Sequence, residues 1–181
     1  MFQFPPIPSW EALHPLIIHF PIVLLLVAPL FILIGALLPA RKARPALAAG
    51  LLLMIMGTAS VFVAAETGEA AGEIAERNLA IKGVLEQHEE LAEQTEVVFS
   101  VLTVVFALLL LGPILLLRAP ARMTTTVLPL VFLLFYSAGA LLLINTAHQG
   151  GRLVHEFGVR ALAPASPPPA AAARDAHHDN N

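Results

Sequence analysis

Four stretches of the chain contain no Asp, Glu, Lys or Arg and are almost wholly apolar: residues 15–40, 45–65, 97–117 and 124–147. The shortest runs for 21 residues. At about 1.5 Å of rise per residue, that is enough to cross a hydrocarbon layer of about 30 Å. Backbone amides inside lipid must pair within the segment, so such stretches are helices. The pattern therefore predicts an all-α membrane protein whose four transmembrane helices form an up-and-down bundle.

Between the second and third apolar stretches the pattern changes without a helix breaker. ETGEAAGEIAER (66–77) and VLEQHEELAEQTE (84–96) are both rich in helix formers. They read as extensions of spans 2 and 3 that stand out of the membrane as a helical hairpin, turning near 78–83. At about 100° per residue, Val84, His88, Leu91, Ala92, Thr95 and Phe99 share one face of the second extension. Glu86, Glu89, Glu90, Glu93 and Glu96 fall on the other. Glu66, Glu69, Glu73 and Glu76 form a stripe on the first extension, the spacing expected of a solvated carboxylate face. A hairpin turning near residue 80 also brings Glu73 level with His88. The segment 1–161 reads as the four-helix domain. The Pro- and Ala-rich remainder, 162–181, has no apolar period and reads as a disordered tail.

Charge orients the bundle. The loop after the first apolar stretch carries Arg41, Lys42 and Arg44, and the loop after the third carries Arg118 and Arg122, with no acid in either. The positive-inside rule places both loops in the cytoplasm. Both termini and the hairpin then face outward, as expected for a bacterial inner-membrane protein. MFQFPPIPSW has no basic n-region and no cleavage pattern, so no cleavable signal is expected. The absence of cysteine excludes disulfides, thiolate metal sites, iron–sulfur clusters and covalent c-type haem.

Candidate chemistry gathers at the outward end. His177 and His178 lie in the tail; the other histidines are His14, His19, His88, His148 and His155. Folding the bundle brings all five of these to the outer side. Pro15 suits a first helical turn, and Pro21 frees the carbonyl of Ile17, opening the helix beside His19. An imidazole at membrane depth is expected to face the bundle, which makes His19 the leading candidate ligand.

At these residues the chain resembles the bacterial membrane proteins grouped as domain of unknown function 2231. The resemblance rests on LHPLIIHFPI (13–22), TGEAAGE, HEELAE and HQGGRLVHEFGV (148–159), and covers residues 13 to about 160. It implies a four-helix membrane domain but no settled activity. Family relatives fused to cytochrome c or Rieske-type domains imply, by association, extracytoplasmic electron transfer. At position 155 members often carry Tyr, so His155 is not counted as a ligand.

Three uses of the histidines stay open. The first is a b-type haem held by two neutral imidazoles from different helices: His19 with His88 or His148, near His14, with Arg152 toward a propionate. Such a module would exchange electrons with a periplasmic redox protein or a quinone. Gly57, Thr58 and Ser60 could admit a ring, though small residues also serve helix packing. The second is a non-haem metal held by His19, His88, His148 and Glu73. Leu85 and Asn145 stand where paired Glu-x-x-His motifs would need glutamates, which counts against a di-iron bundle. The third is a cofactor-free anchor or scaffold subunit of a larger membrane complex. No catalytic constellation, phosphate loop or zinc-protease motif is present, which points away from a free-standing catalyst. The few basic residues lie where topology needs them, which disfavours nucleic acid.

Overall fold

The computed structural model describes residues 8–75, 79–116, 119 and 121–159. The expected tail and the side chains of Glu76, Arg118, His177 and His178 lie outside the described residues. A 3-10 turn, Glu11–Leu13, leads into a short helix α1 (His14–Ile17), followed by α2 (His19–Leu37), α3 (Ala40–Ala75), α4 (Lys82–Leu115) and α5 (Leu128–His155). A π-helical turn, Met123–Val127, opens α5. Among the described residues there is no strand, and four helical segments are long and apolar enough to cross a membrane. Helix α3 runs well past the end of its apolar stretch and α4 begins well before its own, as the sequence pattern predicts.

The break between α1 and α2 falls at Ile18. Pro21 has no N–H to offer the Ile17 carbonyl, so the helix opens one turn before it. Proline has a second consequence deeper in the bundle. Pro29 sits inside α2 and leaves the Leu25 carbonyl without its usual donor. The buried Tyr136 hydroxyl of α5 donates to that carbonyl at 2.6 Å. A neighbouring helix thus repairs the backbone where lipid supplies no water.

Helix α2 packs on α3, α3 on α4, α4 on α5, and α5 back on α2, closing a ring. The pairings run antiparallel. On α2 and α3, a Cβ at Gly35 would meet Leu47, one at Gly50 would meet Ile32, and one at Gly57 would meet Leu25. As one residue number rises its partner's falls. Those glycines let the two backbones approach closely. Gly57 and Thr58, with Thr58 Oγ1 2.8 Å from Thr103 Oγ1, therefore serve helix packing, and Ser60 bonds its own helix at Gly57.

The middle of the bundle is filled with aromatic rings. Phe99 meets Tyr136 edge-on at 5.5 Å, and Phe106 stacks on Phe132 at 4.8 Å. A second, smaller core of Ile81, Leu85 and Leu153, with Val84 and Val159 against it, closes the end that holds the α3–α4 connection. Gly158, at φ +67°, turns the chain after α5 so that the Val159 N–H reaches the Leu153 carbonyl at 3.0 Å.

Candidate functional site

Between the main core and this smaller one lies a layer of polar groups supplied by α1, α3, α4 and α5. His14 enters it from α1. Its Nδ1 lies 2.9 Å from the Ala64 carbonyl and 3.2 Å from Thr67 Oγ1 on α3. The buried Thr67 hydroxyl donates in turn to the carbonyls of Val63 and Ala64. His88 enters from α4, its Nδ1 3.0 Å from the Thr146 carbonyl on α5. One turn further in, Thr95 Oγ1 and Thr146 Oγ1 meet at 2.8 Å and both lie within reach of the Leu91 carbonyl.

These bonds fix the proton positions. A carbonyl only accepts, so each imidazole carries its proton on Nδ1. In the neutral ring Nε2 then presents a lone pair. Neither Nε2 has a protein hydrogen-bond partner among the described residues. His88 belongs to the part of α4 outside the apolar stretch 97–117. Burial holds its imidazole below the ordinary histidine range, the Thr146 carbonyl opposes this, and the nearby His14 ring adds a smaller push in the same direction as burial. The neutral form, which can donate to a metal, is thereby favoured.

Glycines make the space for both rings. A Cβ at Gly68 of α3 would come within 2.8 Å of His14 Cε1, and one at Gly150 of α5 within 3.0 Å of His88 Cε1. A Cβ at Gly72 would come within 2.8 Å of Glu89 Oε1. Gly68 and Gly72 of TGEAAGE and Gly150 of HQGG are therefore the gaps into which the polar side chains fit. Sequence reading overlooked them, although a glycine inside an otherwise helical pattern is the signal for such a close approach.

The remaining candidates stand elsewhere. His19, His148 and Glu73 are exposed, as is His155. The expectation that His19 faces the bundle is corrected: it follows His14 by five residues, about 140° around a helix, and the break at Ile18 does not undo that rotation. His148 lies two residues past the inward Thr146, on the opposite side of α5. Glu73, Glu66 and Glu69 form the exposed carboxylate face expected of them, whereas Glu89, expected on the wet side, is half-buried against Gly72. Arg152 is engaged by Glu156 at 2.9 Å and Gln149 at 3.0 Å. The apolar stripe of the second extension is as expected, with Thr95 and Phe99 buried and Val84, His88, Leu91 and Ala92 half-buried. Among the described residues no group of three or more His, Asp or Glu could hold a metal ion.

Four apolar helices ringed around an aromatic core, with two half-buried imidazoles toward one end, define a helical membrane protein. The chain belongs to the family described as "Predicted membrane protein (DUF2231)", whose model matches residues 11–163. Neither the curated proteins nor the solved structures contain a match.

Proposed function

We propose that this protein is an electron-transfer module or subunit that holds one b-type haem at its histidine end, with His14 and His88 as axial ligands. The observation that carries the reading is the state of the two rings: on different helices, each with Nδ1–H fixed on a carbonyl and Nε2 left to a ligand. Carbonyl-anchored imidazole is the arrangement that sets tautomer and orientation in ligating histidines. The number of ligands selects among metals. A structural or catalytic non-haem ion needs three or more protein donors, and no such group is present among the described residues. Haem brings four nitrogen donors of its own and asks the protein for two.

The donor set therefore fits haem iron, and the group would supply reversible one-electron chemistry. The chain's own residues bind and orient it: Ala64 and Thr67 steer His14, Thr146 steers His88, and the core of Ile81, Leu85 and Leu153 keeps water from that end. Space between the rings requires their helices to part, and α1, separated from α2 at Ile18, is the element placed to give way. The positive-inside rule puts this end on the extracytoplasmic face of a bacterial inner membrane. A periplasmic redox protein or a quinone would then be the electron partner.

A second reading is favoured by the same bonds. They already tie α1 to α3 and α4 to α5, as a cofactor-free scaffold would need. Titration of the purified chain with hemin, followed by absorption in the oxidised and reduced states, separates the two. The haem reading expects saturation at one haem per chain and a sharp reduced α-band; non-saturating uptake without that band favours the scaffold.

A further inference from the structure

At the opposite, basic end, α3 and α4 diverge around a cleft of about 210 Å³. Its walls are apolar, with Ala48, Leu52 and Ile55 of α3 and Leu110 and Leu111 of α4, and Arg44 is the charged residue of the lining. Arg44 also borders a second hollow with Pro113, Thr124 and Thr125, where α4 ends and the π-helical turn begins. Pro113 withdraws a donor from the Leu109 carbonyl, which interrupts the regular ladder of α4 beside this hollow. Arg44 thus borders both the apolar trough and a smaller hollow in which Thr124 and Thr125 join Leu109, Leu110 and Pro113.

We infer that this cleft binds an anionic phospholipid of the adjacent leaflet, its phosphate at Arg44 and one acyl chain along the α3–α4 trough. This site is separate from the histidine end and does not depend on the haem reading. Charge and shape together select the occupant. Arg41, Lys42 and Arg44, all in the first turns of α3, concentrate positive charge at the level of the headgroups. From Arg44 to Ile55 the trough follows about 16 Å of helix, at 1.5 Å per residue. That length suits an acyl chain and has no use for free phosphate. Leu52, Ile55 and Leu111 are 57%, 48% and 45% exposed, so the trough opens sideways to lipid rather than to water.

The test uses the full chain, purified and delipidated in mild detergent. Phosphatidylglycerol or phosphatidylcholine is added and retention is read by native mass spectrometry. The expected result is one phosphatidylglycerol retained per chain in preference to phosphatidylcholine. Arg44→Gln should lower that retention by about fivefold, the effect of about one basic residue near the headgroups, and should lower the preference for phosphatidylglycerol more than Arg41→Gln, which leaves the residue that lines the cleft in place. Ala48→Phe, which fills the trough and keeps the charge, should also lower retention, and decides the matter if Arg44→Gln fails to fold. Equal retention of the two lipids, undiminished retention in Ala48→Phe, or undiminished retention in a folded Arg44→Gln would overturn the inference. Displacement by inorganic phosphate alone would do the same.

Discussion

His14 and His88 face inward and His19, His148 and His155 do not, for reasons set by the helical period and by glycine. Each ring occupies the space that a Cβ on the neighbouring helix would fill, at Gly68 for His14 and at Gly150 for His88. Gly150→Ala should therefore shift the His88 ring by a few tenths of an ångström and weaken its bond to the Thr146 carbonyl, since a Cβ 3.0 Å from Cε1 is tighter than ordinary contact and the ring is not a flexible chain end. The expected outcome is a protein that folds with about 1 kcal/mol less stability, the net worth of one hydrogen bond, and with weaker haem uptake. Melting and hemin titration of the same sample check both. Gly151→Ala, whose Cβ meets nothing within 4 Å, serves as the control and should change neither. The sequence placed the histidines at one end but expected His19 to face the bundle, because depth was weighed and rotation was not. The angular offset of His19 from His14 was available from the numbering alone.

The same division between local and distant information holds for the helices. Their number and character, the runs beyond the apolar stretches, the break after Ile17 and the apolar stripe through His88 all follow from residues within a few turns of one another, so they were legible. The bond from Tyr136 to the Leu25 carbonyl joins residues 111 apart and depends on how α5 docks against α2, which no local pattern encodes. It also gives a test of the proline argument. Tyr136→Phe should destabilise the bundle by about 1–3 kcal/mol, because it leaves a buried carbonyl unsatisfied. In a Pro29→Ala background the helix supplies its own donor to Leu25, and the same change should cost clearly less. A double-mutant cycle on detergent-solubilised protein measures the difference; equal costs in the two backgrounds would separate the hydroxyl from the proline. At Gly57, where a Cβ would lie 2.6 Å from Leu25 Cδ2, a leucine should force α2 and α3 apart and lower the melting temperature by several degrees, as overpacking of about 1–3 kcal/mol would.

Taken as a whole, the molecule is arranged in layers along the bundle. A small apolar core closes one end, the imidazole layer follows, an aromatic core fills the centre, and the lipid-facing cleft marks the basic end. Among the described residues the histidines stand at one end and the centre is packed, so on the haem proposal electrons would be exchanged on one side of the membrane only. In proteoliposomes it should not pass electrons from an external reductant to an enclosed acceptor. The most direct test of the account is the absorption spectrum of the haem-loaded protein, oxidised and dithionite-reduced, across single histidine variants. The account predicts one low-spin b-type spectrum that is lost or converted to high spin in His14→Ala and in His88→Ala, and is unchanged in His19→Ala and His148→Ala. A chain that stays colourless after loading, or a spectrum that depends on His19 or His148 and survives loss of His14 or His88, would contradict it.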